Sequence, residues 1–283
     1  MVESAVGSTP PRVLTIAGTD SAGGAGVPAD LRALAACGVH GCVAVTAVTV
    51  QNSVGVLAVH TVPPEIVAAQ IQAVATDVAL AAAKTGMLAT TEIIEAIADA
   101  CDRTGIGAGG RTPLVVDPVA ASMYGEPLLA MSALDAYRTV LFPRATVVTP
   151  NLDEVRLFVG VDVRDRAAQY EAAKVLHGLG PRHVLVKGGH LHGDPECVDL
   201  YYDGHTFTEL SGPRFATGNT HGAGDSMAAA LASGLARGLP VPDAVALSKR
   251  FVVECVRQSY PLGAGHGPVS PLWTVRPWWS TPA

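Results

Sequence analysis

Aromatic side chains make up only 5% of this 283-residue sequence, and charged ones only 16%. Lysine is especially scarce: Lys84, Lys174, Lys187 and Lys249 are the only four. There is no basic run and no basic stripe interleaved with aromatics, and the formal net charge is −6. Those absences argue against nucleic-acid binding, because affinity for a phosphate backbone comes from clustered Lys and Arg. Any phosphate bound here has to be held locally, by backbone N–H groups, a metal or a few side chains. Long hydrophobic runs are missing too. The longest apolar stretches, such as residues 41–50, are far too short to cross a bilayer, so no membrane partner is expected. Cys37, Cys42, Cys101, Cys197 and Cys255 show neither paired spacing nor a metal motif. Reduced thiols in a cytoplasmic protein are the expectation. Residues 1–12 are polar and carry prolines, without the apolar segment of a signal peptide.

What the sequence does have is apolar residues, 49% of the total, together with 30 glycines. That composition suits close packing of helices on a sheet. Apolar, β-branched runs predict strands at residues 13–17, 42–50, 81–85, 114–117, 146–149 and 184–187. Helices are expected at 25–37, from Pro63-Pro64-Glu65 to 78, from a Thr90 or Thr91 cap to 103, at 132–141, 166–179, 224–238 and 242–260. Segments 197–202 and 206–210 flank Asp203-Gly204 and read as a hairpin. Continuous apolar strands alternating with helices mean a mainly parallel sheet covered on both faces, an α/β fold of three layers. Neither a composition break nor an internal repeat marks a second domain. One domain over 12–272 is expected, with tails at 1–11 and 273–283. Ligands of such sheets bind at the carboxyl ends of the strands, so the turns that follow the strands carry the information.

The most informative turn is Asn219-Thr220-His221-Gly222-Ala223-Gly224-Asp225-Ser226, ahead of an alanine-rich helix. Gly222 and Gly224 allow backbone N–H groups to converge, and the helix start adds partial positive charge, which makes an anion site. Asp225 falls at the same point. A carboxylate there either caps the helix, performs proton chemistry or binds a cation. His221 and His266 read mainly as structural.

Gly222-Ala223-Gly224-Asp225 resembles the signature of the ribokinase-like kinases. Ala17-Gly18-Thr19-Asp20-Ser21-Ala22-Gly23-Gly24-Ala25-Gly26 with Asp30 resembles the opening of hydroxymethylpyrimidine/phosphomethylpyrimidine kinases. So do Thr46-Ala47 through Val50-Gln51-Asn52, Lys84-Thr85-Gly86-Met87-Leu88, Val116-Asp117-Pro118-Val119, Thr149-Pro150-Asn151 with Glu154, Lys187-Gly188-Gly189-His190 and Gly265-His266-Gly267-Pro268-Val269. These motifs stand in family order from about residue 12 to 272. At one position the chain departs from the pattern: many members carry Thr-Gly-Cys where Ala223-Gly224-Asp225 stands here.

The resemblance implies a ribokinase-like α/β/α sandwich and transfer of phosphate from Mg-ATP to hydroxymethylpyrimidine or its phosphate, in thiamine diphosphate biosynthesis. It implies that Gly222, Ala223 and Gly224 offer N–H groups to the transferred phosphoryl, and that Asp225 is the base for the acceptor hydroxyl. Asp117, Asn151, Lys187 and Thr220 are implied at the nucleotide, with Asp117 and Glu154 placing Mg²⁺, a cation that prefers few carboxylates and keeps its waters. Asp30, Gln51, Gly18 and Met87 are implied around the pyrimidine, whose amine and ring nitrogens suit an Asp and a Gln. Lys84 is open to two readings, a phosphate neutraliser or a strand-end lysine reaching water. A homodimer is the expected assembly. Two other readings share some of these residues. One is a pyridoxal kinase, whose substrate also carries a hydroxymethyl group. The other is a non-catalytic pyrimidine-binding regulator, against which an intact Asp225 and the lack of a basic patch both count. A Rossmann dehydrogenase lacks here the strand-following G-x-G-x-x-G turn with a later strand-end acid.

Overall fold

The computed structural model describes residues 8–121, 128–189, 191 and 196–275. His190, residues 1–7 of the first expected tail and residues 276–283 of the second lie outside them. An eight-stranded sheet runs through the molecule in the order β10-β9-β8-β7-β6-β5-β1-β2. Its strands are β1 (Arg12–Ala17), β2 (His40–Val45), β5 (Ala82–Thr85), β6 (Leu114–Val116), β7 (Val147–Val148), β8 (His183–Val186), β9 (Asp199–Tyr202) and β10 (Phe207–Leu210). From β2 to β8 every neighbouring pair is parallel, and the β9–β10 hairpin closes one edge antiparallel.

Alternate residues of these strands are buried on opposite faces, as the strand period requires. Val13, Ala82, Val115, Val147, Leu185 and Tyr201 pack against α1 (Gly26–Ala36), α7 (Ala223–Ala236) and α8 (Val241–Arg257). Leu14, Ala83, Val116, Val148, Val184 and Leu200 face α2 (Pro64–Asp77), α3 (Thr91–Thr104), α4 (Ala133–Ala136), α5 (Leu152–Val159) and α6 (Arg166–His177). The expected three layers are present.

Two departures from the sequence reading have clear causes. The run expected as one strand at 42–50 is two strands. It divides at Thr46, whose N–H still donates to Ala17 but whose hydroxyl turns to the carbonyl of Met87, 2.6 Å away. Beyond it, β3 (Ala47–Asn52) pairs with β4 (Gly55–Thr61) in a separate two-stranded sheet. Apolar periodicity cannot reveal a change of hydrogen-bonding partner inside a continuous run. The helix expected at 132–141 is α-helical only over Ala133–Ala136. It widens into a π-turn at Tyr137–Leu141 and tightens to 3₁₀ at Phe142–Arg144, so Pro143 is absorbed rather than avoided.

Candidate active site

Strand order reverses between β1 and β5, which is the topological switch point where open α/β sheets bind ligands. The turn after β5 and the start of α7 meet there. Gly222 caps α7 in the left-handed conformation, φ +76°, and a Cβ on it would stand 2.1 Å from the carbonyl oxygen of Gly24. Only glycine fits this approach of the two glycine-rich turns. The first N–H groups of a helix have no intrahelical partner, and those of Gly224 and Asp225 are in this class. Ala223 is different: its N–H closes a turn onto the carbonyl of Thr220, 3.1 Å away. The expected trio of N–H donors is thereby corrected, since one of the three is engaged by the turn itself. Thr220 is exposed beside it.

Asp225 lies in the first turn of α7, and Lys84 Nζ at the end of β5 is 3.2 Å from its Oδ1. Lys84 is fully buried and also reaches both oxygens of Asp30, at 2.7 and 2.8 Å. One buried cation therefore serves two carboxylates. Burial alone would lower the lysine pKa, but Asp30 and Asp225 outweigh it and hold the ammonium protonated. Burial would raise Asp225, but Lys84 and His221 hold its carboxyl below the usual range. Asp30 is pushed up to about 7 by burial and by Asp225, against the pull of Lys84. The expectation that Asp30 meets a ligand amine is corrected. Its oxygens accept from Lys84 and, at 2.6 Å, from Thr15, and none of its surface is accessible. Asp30 anchors Lys84 instead. Lys84 in turn does not reach water; it is the counter-ion of Asp225.

A second cation is shared in the same way at the ends of β6, β7 and β8. Lys187 Nζ is 2.7 Å from Asp117 Oδ1, which also accepts from Thr149 at 2.9 Å. Asp117 Oδ2 faces the helix start: a Cβ on Gly224 would stand 3.4 Å from it and 3.2 Å from Lys187 Nζ. That space exists because residue 224 has no side chain. Asn151 caps α5 reciprocally with Glu154. Its side chain accepts from the Glu154 N–H at 2.9 Å, and Glu154 accepts from the Asn151 N–H at 2.7 Å. Glu154 is buried, and desolvation together with the charge of Asp117 raises its pKa to about 7 in spite of Lys187. Below this cluster, Asp199 accepts from the Gly188 N–H at 2.8 Å and from Lys249 at 2.9 Å. That buried pair fixes the turn that carries Lys187. Two carboxylates beside a glycine-lined gap offer hard-oxygen donors of the kind that fit Mg²⁺ bound mainly by phosphates and water, with Lys187 a neighbouring cation. Among the described residues no group of three or more His, Cys, Asp or Glu side chains converges to hold a metal by itself.

The third part lies beside β3. Gly18 and Met87 touch: a Cβ on Gly18 would stand 3.2 Å from Met87 Sδ. Ala47, Thr49 and Gln51 alternate inward along β3 while Val48 and Val50 point out. Gln51 meets His221, which reaches Asp20 Oδ2 at 2.9 Å. Asp20 also accepts from the N–H groups of Ala22, Gly24 and Ala25, at 2.9, 2.9 and 2.8 Å, and so shapes the first glycine turn. The hairpin tip is tied across the molecule, where Ser53 O accepts from the His266 N–H at 3.0 Å. His221 thus links Asp20 of the first glycine turn to Gln51 of β3. Asp20 and His221 stand inside motifs legible in the sequence, but their partner, Gln51, is 170 positions away from His221.

Comparison with known proteins agrees with this geometry. A family model described as phosphomethylpyrimidine kinase matches residues 20–270. The hydroxymethylpyrimidine/phosphomethylpyrimidine kinase of Mycobacterium tuberculosis is 57% identical over 269 residues, 95% of this chain and 96% of that one. Among solved structures, an ADP complex of Bacillus subtilis pyridoxal kinase aligns with a TM-score of 0.84 at 34% identity, over 94% of this chain and 98% of that one. Phosphomethylpyrimidine kinase from Clostridium difficile aligns with a TM-score of 0.75 at 35% identity, over 86% and 98%. With a ribokinase-like sheet, a glycine-lined helix start and an Asp225 held ionised at the switch point, this chain belongs to the phosphomethylpyrimidine kinase family.

Proposed function

We propose that this chain transfers phosphate from ATP to 4-amino-5-hydroxymethyl-2-methylpyrimidine and to its monophosphate, giving the diphosphate used in thiamine diphosphate biosynthesis. The observation that carries the reading is the position of Asp225. It stands in the first turn of α7, is held ionised by Lys84, and feels the charge of His221, the residue that meets Gln51. Phosphoryl transfer has a loose transition state, so the protein contributes mainly position and charge stabilisation. The Gly224 and Asp225 N–H groups and the α7 dipole receive the transferred group. Lys187 neutralises charge on the nucleotide phosphates. Asp225 accepts the proton of the attacking hydroxyl. Asp117 and Glu154 would hold Mg²⁺, which supplies charge neutralisation at the phosphates when bound. Gln51, Gly18 and Met87 form the acceptor site, and residues 12–272 act as one kinase domain in the cytoplasm.

A phosphate-transfer assay with Mg-ATP and three acceptors tests the proposal: hydroxymethylpyrimidine, its monophosphate, and pyridoxal. Transfer to both pyrimidines above pyridoxal is the expected result. The likeness to pyridoxal kinases supports a second reading, which preferential transfer to pyridoxal would establish. ATP hydrolysis and binding without transfer to any acceptor would point to the non-catalytic regulator. A homodimer is proposed through the outer face of the β3–β4 hairpin, where Val48 and Val50 are exposed on the side away from Thr49; exposed apolar side chains of this kind mark association surfaces.

A further inference from the structure

Gln51 is flanked by two polar side chains. Its Nε2 lies 3.4 Å from His221 Nε2, and its Oε1 lies 3.3 Å from Thr49 Oγ1. A half turn of the amide exchanges nitrogen and oxygen and moves nothing else, so donor counting decides which orientation the neighbours favour.

At His221 the count is set by Asp20. Burial works to raise the Asp20 pKa, but His221 and the N–H groups of Ala25 and Ala22 outweigh it, and the group is an ionised, acceptor-only carboxylate. His221 Nε2 is 2.9 Å from Asp20 Oδ2, so that nitrogen carries a hydrogen and donates it. An amide NH₂ facing it sets donor against donor. At Thr49 the single hydroxyl hydrogen goes to the carbonyl of Thr19, 2.8 Å away. Only lone pairs are left toward Gln51, and an amide oxygen facing them sets acceptor against acceptor. Both mismatches vanish together on the half turn. Oε1 then shares the His221 N–H with Asp20, and the amide nitrogen donates to Thr49 Oγ1.

We propose that Asp20–His221 on one side and Thr49–Thr19 on the other lock the Gln51 amide in the half-turned orientation, and so make Gln51 a discriminator of aminopyrimidines from oxopyrimidines. The inference rests on the reading that Gln51 faces the pyrimidine ring. A 4-aminopyrimidine presents an amine donor beside a ring-nitrogen acceptor. Its 4-oxo analogue presents a carbonyl acceptor beside a ring N–H donor. A glutamine amide carries one donor and one acceptor side by side, so each orientation matches one ring and opposes the other. A freely turning amide accepts both; a locked one accepts one, because the wrong ring leaves buried polar groups opposed. His221, Asp20 and Thr49 are positioning residues: they act through Gln51. Thr49 is 2% exposed and the His221 side chain 11%, so solvent competes little for these bonds.

The test compares kcat/KM for 4-amino-5-hydroxymethyl-2-methylpyrimidine and its 4-oxo analogue in the wild type, Thr49→Val, Thr49→Ser and His221→Ala. The amino-to-oxo ratio should fall about tenfold in the Val and Ala variants, the scale of one hydrogen bond. Thr49→Ser keeps the hydroxyl and should keep the wild-type ratio. Val and Ala variants that lose activity toward both acceptors alike, with the ratio intact, would overturn the lock and leave these residues a purely structural role. Should His221→Ala fail to fold, the Thr49 pair decides the matter alone. Transfer by the wild type to neither acceptor would overturn the pyrimidine reading itself, whereas an unchanged ratio among active variants overturns the lock only.

Discussion

In the proposed reaction, Asp225 is one carboxylate that serves two different acceptors. An alcohol hardly ionises at neutral pH and needs a base as it attacks; loss of such a base typically costs about 10²–10⁴ in rate. A phosphate monoester has a second pKa near ~6 and arrives ionised. It also brings negative charge toward the Asp225 carboxylate, and like charges in a partly dry crevice repel. Asp225→Asn should therefore cripple phosphorylation of hydroxymethylpyrimidine and slow that of its monophosphate far less. Separate rates for the two acceptors at saturating Mg-ATP check this; equal large losses would assign Asp225 to positioning instead. Lys84 is the other residue on which the site turns. Removing a fully buried cation leaves Asp30 and Asp225 facing each other unpaired. Lys84→Met should destabilise the fold by about 3–5 kcal/mol. Adding Asp30→Asn removes one stranded charge and should restore much of that loss in denaturant unfolding, without restoring transfer to the alcohol.

At the scale of the element, the start of α5 combines a capping box with a site for positive charge. Glu154 is shared between the two tasks, and its folded pKa is raised from 4.5 to about 7. The sign follows from linkage: a carboxyl with a raised folded pKa favours folding fully below its unfolded pKa, and that contribution is lost as pH climbs through the folded one. Glutamine at this position can still accept from the Asn151 N–H and never ionises. In metal-free protein, the melting temperature of Glu154→Gln relative to wild type should be more favourable at pH 8 than at pH 5.5. Saturating Mg²⁺ should narrow the gap at pH 8, because the cation takes the place of the proton in the wild type only. A gap independent of both pH and Mg²⁺ would reduce Glu154 to a helix cap.

Across the whole molecule, three of the four lysines sit in carboxylate pairs, Lys84 and Lys249 buried and Lys187 half-buried. Scarcity of lysine in the sequence is therefore not a matter of composition alone: those present sit where a charge is needed inside. The outer surface shows the opposite pattern at the β3–β4 hairpin, where apolar side chains face solvent. Sedimentation velocity should find a dimer at micromolar concentration, and Val48→Asp with Val50→Asp should return it to a monomer that still folds. A wild-type monomer would leave the hairpin as a flap over the acceptor site only. None of the described helices is long and apolar enough to cross a membrane.

Much of this was legible before any coordinates. Apolar runs of strand length, separated by helical periods, dictate a parallel sheet, because strands buried on both faces carry no polar alternation. Glycines flanking an aspartate at a helix start dictate an anion site, because backbone N–H groups converge only where side chains are absent. Motif order placed Asp117, Asn151, Glu154 and Lys187 at successive strand ends, where they lie. What tertiary structure decided is which charge meets which. The resemblance places Asp30 beside the pyrimidine, yet it is sealed under Lys84, 54 positions away. His221 reads as mainly structural, and only the fold shows that it joins Asp20 to Gln51 across 201 and 170 positions. Periodicity reports which face a residue occupies within its own element. Pairing of buried polar groups depends on where other elements stop, and that distance is set by the packing of the whole sheet.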